Sequence, residues 1–187
     1  MKTLIINGSP RINGNTSYLV SLLKSKLEGS IVEISTYHDD ISPCIDCRHC
    51  NNKIECSISD DMKKIYADDY DNLVIASPVY YGMLTGPMVS LASRLQIYHF
   101  AQPNKNSPRI LRPKQGALIL TGGGKNNSQM AQNFSHAIFN VLNVKTEEEN
   151  IVLAFGTDDM PTEDNADACS KVIEIAKRVN KSVIQNF

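Results

Sequence analysis

The sequence predicts an open α/β fold, a three-layer sandwich whose five-stranded parallel sheet, in the order 2-1-3-4-5, carries helices on both faces. Three observations predict it. Short apolar runs alternate with longer segments of helical period, the pattern of strands joined by crossover helices. Each apolar run is too short to be a helix. Right-handed crossovers then leave few arrangements besides this strand order.

The first strand is read at Leu4-Ile5-Ile6 and the second at Ile31-Val32-Glu33-Ile34. The third is Leu73-Val74-Ile75-Ala76, the fourth Ala117-Leu118-Ile119-Leu120, and the fifth Ile151-Val152-Leu153-Ala154-Phe155. Between them lie four apolar stripes: Leu19, Leu22, Leu23 and Leu27; Met88, Leu91, Ala92 and Leu95; Ala131, Phe134, Ile138 and Val141; Val172, Ile175, Ala176 and Val179. Their spacing is that of one buried helix face, so these residues are core. Gly86-Pro87 opens the second of these helices, with proline where the first-turn N–H has no partner to lose, and Ser128 is placed to cap the third.

Two stretches break the alternation, residues 36–59 and 98–114, and loops of that length inside a domain are usually functional or at an interface. Chain length suits a single domain over 1–187, with the first stretch as a cysteine-rich excursion. A net charge of −1 and the lack of any Lys/Arg block remove the electrostatic footprint of nucleic-acid binding. The N-terminal apolar run ends at Asn7-Gly8, too short for a signal segment, and no stretch reaches the length of a membrane span, so a cytoplasmic protein without membrane contact is expected.

The chemistry lies in the loops that follow the strands. After strand one, Asn7-Gly8-Ser9-Pro10-Arg11-Ile12-Asn13-Gly14-Asn15-Thr16-Ser17 opens the first helix, and backbone N–H groups there, with small hydroxyls and an arginine, suit a phosphate. No Gly-Lys-[Ser/Thr] and no Gly-x-Gly-x-x-Gly is present, which favours a mononucleotide; the competing reading is a Gly/Asn turn with a hydroxyl cap. After strand three, Ala76-Ser77-Pro78-Val79-Tyr80-Tyr81-Gly82-Met83-Leu84-Thr85-Gly86 offers aromatics and exposed backbone as a wall for a flat heterocycle, or a Pro/Gly loop with surface tyrosines. After strand four, Thr121-Gly122-Gly123-Gly124-Lys125-Asn126-Asn127 lets backbone approach a ligand closely, or forms a flexible loop. In the predicted strand order the first two loops flank the topological switch point, where open α/β sheets bind ligands.

In these motifs the chain resembles the flavodoxin-like NADPH-dependent FMN reductases and, within them, the iron-sulfur flavoproteins. The resemblance implies that Ser9, Arg11, Asn15, Thr16 and Ser17 hold the FMN phosphate, and that Pro78, Val79, Tyr80, Tyr81, Gly82 and Met83 with Thr121, Gly122 and Gly123 line the isoalloxazine. It also implies a homodimer or homotetramer in which neighbouring subunits help close the flavin site. In such an enzyme the flavin carries the reaction, a hydride arriving from NAD(P)H and electrons leaving to an acceptor, so no catalytic acid/base pair is expected.

Of five cysteines, four crowd into Cys44, Cys47, Cys50 and Cys56, with Cys169 alone in the last helix as an apolar filler. Four soft donors at this spacing suit an iron-sulfur cluster or a four-thiolate zinc site. The resemblance extends to this motif and implies a [4Fe-4S] cluster beside the flavin. Because the loop leaves the carboxyl end of strand two, the four thiols are expected to gather over the flavin rim, their own or a neighbouring subunit's. His49 among them reads as a solvated loop histidine. Tyr98, His99 and Phe100 could cover a flavin or an interface, while Glu147-Glu148-Glu149, Asp158-Asp159 and His136 read as surface. Three functions follow: an FMN-dependent NAD(P)H oxidoreductase delivering electrons to a flavin, quinone or similar acceptor; an iron-sulfur flavoprotein carrying single electrons to a protein partner; or a non-redox zinc module.

Overall fold

The computed structural model describes residues 1–51, 55–100, 111–124 and 128–181, with His99 and Phe100 described in backbone only. Most of the expected 98–114 loop, the His99 and Phe100 side chains, and Lys125, Asn126 and Asn127 of the glycine loop therefore lie outside the described residues.

The strands are β1 (Lys2–Asn7), β2 (Ser30–Ser35), β3 (Asn72–Pro78), β4 (Lys114–Gly122), β5 (Val144–Lys145) and β6 (Ile151–Phe155). All pair in parallel, in the order β2-β1-β3-β4-β5, with β6 also pairing β4. The expected fifth strand is thus β6. It shares its flank of β4 with the two-residue β5, which lacks the apolar run that betrays a strand in sequence. Register fixes both faces of the sheet: Ile5 lies beside Val74 and Val74 beside Ala117, and Ile6 beside Ile75 and Ile75 beside Leu118.

Because side chains alternate across a strand, each central strand feeds two cores. Ile5, Val74, Ile119 and Val152 pack under α1 (Asn15–Lys24) and α6 (Ala166–Lys181), through Leu19, Leu23, Val172 and Ile175. Leu4, Ile6, Ile75 and Leu120 pack on the other face against Met62 and Ile65 beside α2 (Lys63–Tyr66), Met88 and Leu91 of α3 (Gly86–Ser93), and Ile138 and Phe139 of α5 (Gln129–Val141). A short α4 (Gln96–Phe100) follows α3. Each such side chain contributes about 1.5–3 kcal/mol on burial.

Three local expectations are corrected. On α5 the buried face runs through Ala131, Ser135, Ile138 and Phe139, with Val141 exposed, so the stripe is rotated toward the sheet's Phe139 side. Ser128 occupies the position before α5 but makes no side-chain cap; its Oγ accepts from Gln132 Nε2 at 2.9 Å, and the Ala131 N–H is met instead by the Gly82 carbonyl at 2.9 Å. Cys169 is half-buried rather than buried: it packs on the edge of the core, with its thiol donating to the Thr162 carbonyl at 3.2 Å.

Candidate functional site

Three strand ends meet at one rim. The loop after β1 is anchored by the Gly8 N–H donating to Ala76 O at 2.7 Å and by Thr85 Oγ1 donating to Gly8 O at 3.1 Å. The loop after β3 is tied to the end of β4 by the Val79 N–H donating to Thr121 O at 2.8 Å. The Thr16 and Thr121 hydroxyls, both buried, lie 2.6 Å apart and close the triangle from α1 to β4. The carboxyl ends of β1, β3 and β4 are thereby a single rigid edge.

Within the first loop the chain folds on itself. Ser9 Oγ and Ser17 Oγ both donate to the Arg11 carbonyl, at 2.9 and 2.6 Å, and the Ser9 N–H is held by Asn7 Oδ1 at 3.0 Å. Ser9, Thr16 and Ser17 are buried while Arg11 is exposed. Helix α1 opens after Gly14 with no side-chain cap, so its first-turn N–H groups have no intrahelical acceptor. Asn15 points elsewhere: its Oδ1 accepts from the Thr162 N–H at 2.9 Å, a tie to the loop after β6 that the sequence did not reveal.

The second loop makes a tight turn. Tyr80 and Met83 exchange backbone hydrogen bonds of 2.9 and 3.0 Å around Tyr81 and Gly82, whose φ values are +51° and +77°. A tyrosine in the left-handed region is a strained exception, and here its ring is left wholly exposed. Of the residues expected to line a flat ring, Tyr80, Tyr81, Gly82, Met83, Pro78 and Gly123 are at least partly accessible. Val79, in contrast, is 5% exposed and sends its side chain into the core. Gly122 is needed by packing, since a Cβ there would stand 2.6 Å from the Phe155 ring, and a side chain at Gly123 would run into the Asp158 carboxylate.

The four clustered cysteines line one cavity of about 460 Å³ together with Ser93 and Arg94 from the end of α3. The Cys44 N–H donates to Ser93 Oγ at 3.0 Å, so the loop descends alongside α3 and the cavity meets that helix at its C-terminal end. From Gly86, after the loop that follows β3, to Ser93 at the cavity is eight residues, about 12 Å of helix.

The cavity treats its thiols unequally. Ser57 Oγ, 3.0 Å from Cys47 Sγ, and the His49 backbone amide hold the Cys47 thiol below its usual range. Burial pushes the Cys50 thiol up, and Cys44, Cys56 and Cys47 push it further, a measure of how near the four lie to one another. Asp46 and Arg48, on either side of Cys47, both have left-handed backbone, with φ of +49° and +59°, a tight local curl of the loop. His49 pairs with Glu55 at 3.1 Å and so faces away from a ligand role.

Sequence reasoning missed the residue that organises this loop. Arg94 is 2% exposed; its Nη1 lies 2.6 Å from Asp60 Oδ2 and 2.8 Å from Ser42 O, and its Nη2 lies 3.2 Å from both Cys56 Sγ and Ile58 O. Burial works against its charge, but the Asp60 carboxylate, with Tyr66 and Cys56 nearby, raises its pKa above the ordinary arginine value. A lone arginine between the apolar stripe residues Leu91 and Leu95 was the available signal, since such a residue is buried only when paired.

Among the described residues no three His, Cys, Asp or Glu side chains converge closely enough to hold one metal ion. A single zinc needs its ligands gathered tetrahedrally about one point, which this arrangement does not provide. Four cysteine sulfurs around one cavity are the soft donor type that iron-sulfur clusters take.

Comparison with known proteins agrees with this geometry. The model of the NADPH-dependent FMN reductase family matches residues 1–158. Two iron-sulfur flavoproteins of Methanocaldococcus jannaschii are 34% and 31% identical to the chain over 135 and 134 residues, each match covering 69% of the chain and 65% and 66% of those proteins. The match thus spans just under two thirds of those relatives' own length. Among solved structures, an FMN-dependent NADH-azoreductase of Bacillus anthracis in complex with FMN superposes with a TM-score of 0.70 at 20% identity, covering 96% of this chain and 100% of that one. A Streptococcus mutans protein gives 0.73 at 14% identity, again covering 96% and 100%. These likenesses show the flavodoxin-like fold. Fold, strand-end loops and family match agree, and the chain belongs to the NADPH-dependent FMN reductase family, a family of oxidoreductases.

Proposed function

We propose that the protein is an FMN-dependent oxidoreductase that accepts a hydride from NADH or NADPH and passes electrons to a flavin, quinone or similar acceptor, with a [4Fe-4S] cluster in the cysteine cavity as a second redox centre. The observation that carries the flavin reading is the hydrogen-bonded edge joining three strand-end loops at the switch point of the sheet. Bound FMN would supply the hydride and single-electron chemistry that no side chain has.

The chain's own residues bind and orient. The Ser9 and Ser17 hydroxyls, now donating to the Arg11 carbonyl, would turn their O–H groups onto the phosphate, joined by the uncapped N–H groups of α1 and the exposed Arg11 guanidinium. The Thr16–Thr121 pair holds the phosphate loop against the ring-binding loop, so phosphate and ring sites keep a fixed separation. Tyr80, Tyr81, Met83 and Gly123 would face the ring, with Val79 and Gly122 fixing the backbone behind them. Cys44, Cys47, Cys50 and Cys56 would hold the cluster, supported by the thiolate-favouring contacts at Cys47 and by the names of the relatives.

Anaerobic addition of NADH or NADPH to flavin-loaded protein tests the reading. Bleaching of the flavin absorption by one of them, and its return on adding a quinone, is the expected result. A flavin that neither nucleotide reduces would sink the reductase assignment.

A further inference from the structure

We propose that Arg94 is a positioning residue for the cysteine centre: one buried guanidinium closes the base of the cysteine loop, fixes Cys56 as a ligand, and supplies the positive charge against which that centre is reduced. The inference rests on the cluster reading above and goes beyond it by naming a residue outside the cysteine motif.

The geometry is that of a staple. The cysteines lie between Ser42 and Asp60, and the Arg94 fork reaches both flanks, Ser42 O on one side and Cys56 Sγ, Ile58 O and Asp60 on the other. Asp60 adds a second cross-tie by accepting from the Ser42 N–H at 3.1 Å. Tyr66 Oη donates to the Arg94 carbonyl at 3.1 Å and holds its backbone. The Asp61 N–H, donating to Asp40 O at 2.9 Å, ties the flanks farther out, and the Arg94 fork is the tie that reaches inward to a cysteine, Cys56. Lysine cannot replace the fork, because a single ammonium cannot span both flanks and the carboxylate in plane.

Charge carries the second part. Arg94 and Asp60 are 1% and 2% exposed in their side chains, and it is the guanidinium that touches a cysteine, with Nη2 3.2 Å from Cys56 Sγ. A cluster held by four thiolates is anionic, and one-electron reduction adds one further negative charge beside the guanidinium. Little water screens that interaction, so the buried cation favours the reduced state and its removal shifts the potential negative.

The test uses the full chain, loaded anaerobically with ferrous iron and sulfide, in wild type, Arg94→Lys and Arg94→Met. Iron and acid-labile sulfide per chain, retention against an iron chelator, and the midpoint potential of the cluster signal are measured, with bound FMN as the control for folding. Both variants should retain FMN and hold the cluster about 10- to 100-fold less well, the range for residues supporting metal ligands. In the fraction of Arg94→Met that loads, the potential should move negative, and in Arg94→Lys it should stay near wild type. Should Arg94→Met fail to fold, Arg94→Lys decides by its iron retention. Loaded wild type with equally retentive, unshifted variants overturns the inference alone; wild type that takes up no iron and sulfide overturns the cluster reading and the inference with it.

Discussion

Thr16 and Asp60 do opposite kinds of work, and single substitutions separate them. Thr16→Ala removes a hydroxyl from the proposed phosphate site and leaves Thr121 without its 2.6 Å partner. It should weaken FMN binding by about 1.5–3 kcal/mol, the worth of a hydrogen bond to a charged group, in a flavin-fluorescence titration. Asp60→Ala should leave FMN binding alone and lower folding stability by about 3–5 kcal/mol in urea unfolding, because it strands the buried Arg94 charge. Glu33 sets an acid limb. Burial pushes its carboxyl up, but the hydrogen bonds from Lys24 and Asn7 outweigh that and hold it below the usual range. A folded-state pKa below the unfolded one means that the stabilisation is present above the ordinary glutamate value, about 4.3, and is lost as pH falls through the depressed one. Glu33→Gln should therefore flatten the stability profile in that acid window, and an unchanged slope there would show that the pair contributes nothing. Of these residues, Thr16 was legible from its place in the loop motif. Asp60 and Arg94 were not, because a buried ion pair joins residues 34 positions apart and leaves no periodic trace.

The turn between β3 and α3 spends conformational strain where a ligand wall is expected. Tyr81 sits at a φ of +51° with its ring in solvent, so nothing in the described fold repays the left-handed backbone. Tyr81→Gly should raise stability by about 1 kcal/mol, the left-handed penalty less the entropy of glycine. The same change should weaken FMN binding by about 0.5–1.5 kcal/mol through the lost aromatic face. A variant less stable than wild type would show that the ring packs on the protein after all. The strands and the α1, α3 and α6 faces were legible because each central strand is apolar on both faces and each helix on one. α5 was misread by part of a turn, since Phe134 and Val141 fit the period as well as Phe139 does, and only the sheet decides which face turns inward. β5 was invisible: two residues beside β4 form a strand only because β4 is already there.

On the scale of the whole molecule, α3 connects two sites. Its first turn follows the loop proposed to face the flavin ring, and its C-terminal end supplies Ser93 and Arg94 to the cysteine cavity. The three strand-end loops were readable one by one, and the parallel topology made them neighbours. The position of the cysteine cavity was not readable, because it depends on the Cys44–Ser93 and Arg94 contacts that draw the loop down beside α3. No described helix is long and apolar enough to cross a membrane. The central claim, that the strand-end edge binds FMN by its phosphate, is tested most directly by parallel equilibrium titrations of the flavin-free protein with FMN and with riboflavin, which differ in that phosphate alone. The account predicts saturation at one FMN per chain, with riboflavin weaker by about 100-fold or more, the equivalent of losing two charge-assisted hydrogen bonds. Equal affinity for the two flavins, or no binding of FMN, would contradict it.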